Sequence, residues 1–205
     1  MMAAKHELTR DDVMSMADYA RERKMRRRAL VEAKRHRRLE VGPDCTFYFE
    51  NYETMWNQVH EMLFIEKGGE DQIADELSAY NPLVPKGREL VATVMFEIDE
   101  PARRAALLAK LGGVEETVFL RVGGETIRGV PEADVERTSA AGKASSVQFI
   151  HFPFTDAQVA KFRAAGATGG ATGGTEIVTG FTHPEYAHMA VLPEPVRQAL
   201  AEDFD

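Results

Sequence analysis

Two histidines near a predicted β-turn are the first candidates for chemistry in this chain of 205 residues. His183 and His188 are separated by the four residues Pro-Glu-Tyr-Ala. If all four form the loop of a hairpin, the histidines lie opposite each other, with Cβ atoms about 5 Å apart. Together with His151 or Glu185 they could then hold a divalent metal ion. If Pro184 and Glu185 alone form the loop, the histidines are not paired. His151, in an apolar predicted strand, is also compatible with a hydrogen-bonded buried or interface histidine.

A polar stripe on a predicted helix is the second candidate site. Gln58 and Glu61 follow Thr54 at helical spacing. With Glu50 before the helix and carboxylates of the next helix, they could form the oxygen-rich pocket that a hard cation requires. The competing interpretation is that these carboxylates receive a basic helix of the same chain. Neither Glu61 nor Asp71 begins the Glu-x-x-His pattern of di-iron proteins on these two helices, and Phe64 occupies the position of the second histidine in a zinc-protease helix.

Positive charge is concentrated in one segment of an otherwise acidic chain. The net charge is −8, but residues 21–38 contain ten Lys or Arg and two Glu, so the remaining residues carry −16. The helix expected over 22–38 has only a thin apolar stripe and therefore needs a partner surface. It could lie across the acidic body of the same protein or of a second subunit, or it could bind nucleic acid. The overall acidity favours the first interpretation. The candidate interaction residues of this basic arm are Arg26, Arg27, Arg28, Arg35, Arg37 and Arg38.

Hydrophobic periodicity and turn signals predict an α+β fold. It consists of an N-terminal helical arm, a helix pair, and two strand–helix–strand–strand modules in a mostly antiparallel sheet. We expect residues 1–40 to form the arm, and residues 41–132 the helix pair and first module. Residues 133–145 are a linker, and residues 146–205 form the second module and a C-terminal helix of the same compact domain. The shared order of elements is an internal repeat of pattern. The modules could complete one sheet in a monomer or pair across a homodimer.

Capping residues predict where the helices begin and end. Thr9, followed closely by two aspartates, predicts a first helix over 10–20, ahead of the basic helix. Asn51 is the expected N-cap of a helix that ends at Glu66, before a Gly-Gly break and a second, acidic helix. Cys45 lies close to aromatic residues of a predicted strand, so we expect a buried thiol.

Composition excludes several classes of protein. No apolar run reaches the roughly 18 residues of a membrane span, and the first ten residues lack the apolar core of a secretory signal. We therefore expect a cytoplasmic location. The single cysteine forms neither an internal disulfide nor a cysteine metal site. The sequence has no Walker-type loop, nucleophile elbow or dinucleotide fingerprint, and the Gly/Thr-rich run over 166–174 is predicted to be a mobile loop.

Several stretches of the chain resemble a bacterial family known as domain of unknown function 3501. They are Leu8 to Asp12, Phe49-Glu50-Asn51, Gln58 to Met62, Glu76 to Pro85, Arg88-Glu89-Leu90 and His183-Pro184-Glu185-Tyr186. The resemblance extends over nearly the whole chain. Members of that family are often encoded beside rubrerythrin and iron–sulfur oxidoreductase proteins, which implies a link to peroxide or redox stress. The resemblance supplies no catalytic residues.

Two functions of different classes follow from these observations. The first is an accessory or partner-binding protein in a bacterial redox or peroxide-stress system, with a partner of the rubrerythrin or iron–sulfur type. The basic arm and the acidic helix pair would be its interaction surfaces, and nucleic acid is not the expected ligand. The alternative is a metal-dependent small-molecule enzyme that uses the histidine hairpin or the carboxylate pocket, with a divalent metal as its cofactor.

Overall fold

The computed structural model describes residues 5–132, 143–167 and 175–205. Most of the predicted linker over 133–145 and of the Gly/Thr-rich run over 166–174 lies outside these ranges. Within them the chain forms six α-helices and nine strands in two antiparallel sheets, which confirms the α+β prediction. No helix in the described part of the chain is long and apolar enough to cross a membrane.

The described residues form six α-helices, three short 3-10 turns and nine strands. The α-helices are α1 (Met16–Arg35), α2 (Tyr52–Glu66), α3 (Glu70–Tyr80), α4 (Pro101–Leu108), α5 (Asp156–Ala167) and α6 (Glu194–Ala201), and the 3-10 turns are Arg10–Asp12, Asn81–Leu83 and Val114–Thr117. The strands are β1 (Arg38–Glu40), β2 (Cys45–Glu50), β3 (Glu89–Phe96), β4 (Val118–Val122), β5 (Glu125–Arg128), β6 (Val130–Pro131), β7 (Val147–Pro153), β8 (Ile177–Phe181) and β9 (Met189–Val191).

Each predicted module contributes strands to both sheets. The first sheet has the order β1-β2-β3-β7-β6 and the second has the order β5-β4-β8-β9. Strands β3 and β7, the first strands of the two modules, are therefore neighbours, as are β4 and β8 in the other sheet. This exchange of strands ties the two modules into one body.

Two hydrophobic cores lie on opposite faces of the first sheet. Side chains alternate between the faces of a strand, so Phe47 and Leu90 point to one face and Val91 to the other. The larger core joins the first face to the second sheet, with Leu120 among its buried residues, and is completed by α4, α5 and α6. The smaller core packs α2 and α3 against the outer face, where Val59 contacts the cluster that contains Val91. The helix pair is thereby fixed to the sheet.

The N-terminal segment differs from the prediction of a helix over 10–20. Only the single turn Arg10–Asp12 follows Thr9, whose backbone N–H and hydroxyl both donate to the Asp12 carboxylate. The chain is then extended, so that Val13 is buried and the Met14 N–H donates to the ring of His60, 3.1 Å away. Helix α1 begins only after Ser15, whose side chain caps it.

The second helix matches its prediction closely. The Asn51 side chain accepts the Thr54 N–H, and the Thr54 hydroxyl accepts the Asn51 N–H, so both ends of a capping box are present. The helix stops at Lys67, which adopts the left-handed conformation with φ of 58°. The thiol of Cys45 is buried, as predicted, and this burial raises its pKa well above the ordinary value.

Candidate interaction surface

The histidine hairpin closes with the shorter of the two loops considered. His183 pairs with Tyr186, so the loop is the dipeptide between them. His188 then lies beside Phe181, whose N–H donates to the His188 carbonyl over 2.9 Å. The direct pairing of His183 and His188 that a four-residue loop would give is therefore wrong. His183 instead accepts the N–H of Glu185 through Nδ1, at 3.2 Å.

The side chain of Tyr186 gives a physical reason for this tight turn. Its hydroxyl accepts the Asp44 N–H over 3.0 Å and donates to the Val41 carbonyl over 2.9 Å. The ring packs edge-on against Phe96 and Phe181. Burial is the main cause that raises the pKa of Tyr186 to about 12. The turn is thus set by contacts with distant residues of the larger core, and His188 is left beside the Tyr186 ring.

His151 lies between two carboxylates. Its Nδ1 is 3.0 Å from Glu89 Oε2, and its Nε2 is 2.7 Å from Glu132 Oε2. Burial by itself would lower the pKa of His151, but the hydrogen bonds and charges of the two glutamates outweigh it and raise the pKa. The carboxylates occupy opposite nitrogens of one ring, so these three groups do not converge on a common point. Their arrangement is that of an imidazolium held between two anions.

The residues predicted to bind a metal are dispersed. Among residues 5–132, 143–167 and 175–205, no three His, Cys, Asp or Glu side chains are grouped as a metal site requires. His151, on β7, is held between Glu89 and Glu132, His183 accepts the backbone N–H of Glu185 in the turn, and His188 packs on Tyr186. The three histidines therefore have separate contacts in the described geometry, and the Glu185 carboxylate is exposed.

Replacing His151 by Gln should destabilise the protein more at low pH than at high pH. The folded state raises the pKa of His151, so its stabilising charge is fully present below the unfolded value of about 6.5 and is lost as the pH rises through the folded value. Charge-assisted hydrogen bonds contribute about 1.5–3 kcal/mol, so we expect a loss of that order at pH near 6 and a clearly smaller loss near pH 9. Urea unfolding at the two pH values measures both losses.

Glu132→Gln is the matched variant for this prediction, because it removes one of the two charges that raise the pKa of His151. Like His151→Gln, this variant should lower the free energy of unfolding more near pH 6 than near pH 9. Equal losses at both pH values for His151→Gln would show that His151 contributes through packing alone.

The predicted carboxylate pocket is divided among three different partners. Glu50 is buried on β2 and accepts the Thr93 hydroxyl over 2.7 Å. Gln58 donates to the Tyr80 hydroxyl on α3, over 3.3 Å. Glu61 faces the other way, toward α1. The three side chains therefore serve separate contacts, and the structure does not bring them together as one pocket.

Glu61 receives the basic helix, as the competing interpretation expected. Arg23 donates two hydrogen bonds to its carboxylate, each 2.8 Å long, and the hydroxyl of Tyr19 adds a third over 2.7 Å. Arg23 is the main cause that lowers the pKa of Glu61. Nearby, the guanidinium of Arg26 lies 4.5 Å from the centre of the Trp56 ring. These contacts fix the first half of α1 on α2.

Arg37 is a structural residue, which corrects its assignment to the interaction surface. Its side chain is 8% exposed and that of Asp203 is 6% exposed. The two guanidinium nitrogens donate to the two carboxylate oxygens over 2.8 and 2.6 Å, and one of them also donates to the Ala199 carbonyl. Arg37 therefore joins the segment after α1 to α6 and is not available to a partner.

The other predicted arm residues divide into paired and unpaired cations. Arg26 pairs with Glu22 and Arg35 pairs with Glu32 on the same helix, and Arg38 pairs with Glu40 of its own strand. The side chains of Arg27 and Arg28 are exposed, and neither forms an ion pair or a side-chain hydrogen bond with a residue that the structure describes, although the charge of Arg27 contributes to lowering the pKa of Glu61. Lys24 is likewise exposed and forms no such bond within the described part of the chain. The exposed charge of α1 is therefore only partly balanced within the chain.

A groove runs beside these unpaired cations. Its volume is about 710 Å³, and it is lined by Ala20, Arg23, Lys24, Arg27, Arg28, Val31 and Glu32 of α1 and by Phe64 of α2. A second depression of about 670 Å³ shares Phe64 and continues toward the start of α3. Sequence reasoning missed Phe64. The available signal was an apolar Phe-Ile pair on the polar side of α2, and the structure leaves Ile65 61% exposed.

The comparisons with known proteins place the chain in a family. A family model described as "Protein of unknown function (DUF3501)" matches residues 7–204. The chain belongs to this family. It is also similar to a crystal structure described as a novel protein of unknown function from Burkholderia pseudomallei K96243, with a TM-score of 0.86 and 37% sequence identity over 97% of this chain and 99% of that chain. A search of the curated proteins gives no match. The family resemblance is confirmed, and the link to redox stress stays a prediction.

Proposed function

We propose that this DUF3501 protein is an accessory protein that binds an acidic partner through the exposed face of α1. The observation that carries the proposal is the unbalanced charge of this helix. Lys24, Arg27 and Arg28 have no acidic neighbour within ion-pair distance among the described residues, although the chain outside 21–38 carries −16. The acidic residues of the rest of the described chain therefore do not pair with the cations on this face of α1.

Like charges at neighbouring helical positions make this face unfavourable in isolation. Lys24 and Arg28 are four residues apart, and Lys24 and Arg27 are three apart, so their charges lie side by side. Such pairs destabilise a helix by about 0.2–0.5 kcal/mol each. A partner with carboxylates at the matching positions replaces this repulsion by attraction, which supports binding and fast association.

The helix is held as a rigid platform for such a partner. Tyr19 is the one residue of α1 that is fully buried, and Arg23 is bound to Glu61. Beyond the helix, Arg37 is fixed by Asp203. The backbone of the face between these anchors is therefore ordered before a partner binds, which lowers the entropic cost of association. A partner of the rubrerythrin or iron–sulfur type, which the family resemblance implies, is the first class to test.

Nucleic acid fits this surface less well than protein does. Phosphate binding requires a field that is positive over a wide area, whereas the net charge of the whole chain is −8. The alternative of a metal-dependent enzyme depended on residues whose side chains make separate contacts and do not converge on one point. Neither observation favours these functions over partner binding.

Photo-crosslinking in living cells tests the proposed function. A photo-reactive amino acid replaces Arg28 and, as the matched control, Arg128, an exposed arginine of β5 in the second sheet. We expect position 28 to crosslink to a defined protein at a segment rich in Asp and Glu, and position 128 to give no such product. Equal crosslinking from both positions, or crosslinks from position 28 to segments without excess acidic residues, would contradict the proposal.

A further inference from the structure

We propose that the groove beside α1 binds an amphipathic acidic helix of the partner, with its apolar side chains on Phe64 and Val31 and its carboxylates on the surrounding cations. This inference rests on the proposed function and adds the chemistry of the bound segment. It follows from the shape of the groove, from the apolar residues along its floor and from the charges along its edge.

One wall of the groove is a single stripe of α1. Ala20, Lys24, Arg27 and Val31 are spaced by four, three and four residues, so they share one face of the helix. The stripe covers about 16 Å along the axis, at 1.5 Å per residue. A ligand helix of about three turns has the same length. Val31, at the C-terminal end of the stripe, is 61% exposed and can therefore contact an apolar side chain of the ligand helix.

The floor is apolar and continues past Phe64. The guanidinium of Arg23 lies 4.7 Å from the centre of the Phe64 ring and holds it in place. On the other side of Phe64, the second depression is lined by Leu63 and Ile73, and by two methionines, Met14 and Met16. Methionine side chains adapt their shape to apolar ligands at low cost. The two depressions together offer an apolar strip along which alternate turns of a helix can place large side chains.

The edge of the groove is mainly positive. Arg10, Lys24, Arg27, Arg28 and Lys67 lie along it, against two glutamates, Glu32 and Glu70. Glu70 is already bound by Arg10, and Glu32 by Arg35, so both acidic groups are balanced within the chain. The cations that remain are matched by a ligand helix with carboxylates on both sides of its apolar face.

A helix of a protein fits this surface better than a membrane or a nucleic acid. Insertion into a bilayer requires apolar side chains that project from the surface, whereas the apolar residues here line a groove between α1 and α2. Phosphate backbones use cations but have no use for an apolar floor of Phe64, Leu63 and Ile73. An amphipathic acidic helix is complementary to both features at once.

Two synthetic peptides of identical composition test the inference against the full chain by fluorescence anisotropy. In one peptide, leucines recur at i, i+3, i+4 and i+7 among glutamates, and in the other the same residues are scrambled so that no apolar face exists. The groove predicts at least about tenfold tighter binding of the amphipathic peptide, which is the effect of burying about two methylene groups in all. Val31→Asn should lower the affinity for the amphipathic peptide by several fold and leave the affinity for the scrambled peptide unchanged. The matched control is Val191→Asn, since Val191 is 51% exposed on β9 and does not line the groove.

Each outcome separates this inference from the proposed function. Equal binding of the two peptides, abolished by Arg27→Glu with Arg28→Glu, would overturn the helix inference and leave electrostatic docking intact. Tighter binding of phosphatidylglycerol vesicles or duplex DNA than of the amphipathic peptide, or no binding of either peptide, would also overturn it. Failure of crosslinking from position 28 is the separate result that would overturn the proposed function. Circular dichroism verifies that the surface variants keep the helical content of the wild type.

Discussion

Replacing Asp203 by Ala should lower the free energy of unfolding by about 3–5 kcal/mol. The carboxylate of Asp203 and the guanidinium of Arg37 are both buried and share two hydrogen bonds of 2.8 and 2.6 Å. Removing the carboxylate leaves a buried cation whose remaining contact in the described structure is the Ala199 carbonyl. The cost comes from this uncompensated charge, which is larger than the net contribution of the intact pair.

Two controls isolate this effect in urea unfolding. Glu202→Ala changes the exposed neighbouring carboxylate and should alter stability by no more than about 0.5 kcal/mol. The double change of Arg37→Met with Asp203→Leu removes both charges and should recover most of the loss, because apolar residues of similar size often replace buried ion pairs without cost. A loss for Asp203→Ala as small as that for Glu202→Ala would mean that the pair is solvated in solution.

Reversing two charges on α1 should weaken partner binding by at least about 100-fold. Arg27→Glu together with Arg28→Glu places two anions opposite the carboxylates of the acidic partner. Like charges brought together at an interface cost several kcal/mol. Both side chains are exposed and unpaired in the described structure, so the double variant should fold as the wild type does. It removes the repulsion with Lys24 but also loses the favourable interaction of Arg27 with Glu61, so we expect stability to change by no more than about 0.5 kcal/mol.

The elements that local physics specifies could be predicted from the sequence. The cap at Asn51 and the Gly-Gly break that follows Glu66 together predict α2, and the structure has it at Tyr52–Glu66. The apolar strand predicted around His151 is observed as Val147–Pro153. In each of these, residues close in the chain determine the conformation.

The features that depend on distant contacts could not be predicted. The loop of the histidine hairpin is two residues long because the Tyr186 hydroxyl bonds to Val41, 145 positions away in the chain. Arg37 reads as one more cation of a basic run, yet it is buried with Asp203 because the chain after α1 passes under α6. Residue type and spacing do not indicate which distant residue a side chain will contact.

For the basic arm, the sequence predicted the contact with the acidic body but not which cations that contact covers. Charge counting predicted that acidic groups of the body would receive the arm, and Arg23 with Glu61 does this. It did not show which cations would stay uncovered, because that depends on how α1 crosses α2. The groove beside Arg27 and Arg28 appears only when Phe64 is placed opposite α1.

The most direct measurement of the central claim is the affinity of the crosslinked partner, once purified, for two double variants in isothermal titration. One variant carries Arg27→Glu and Arg28→Glu, and the control carries Lys110→Glu and Arg128→Glu, which change the net charge by the same amount at exposed positions away from the groove. We predict a loss of at least about 100-fold for the first variant and a loss of less than about threefold for the control. An equal loss for both variants would show that only net charge matters, and an unchanged affinity of the first would show that α1 is not the docking surface.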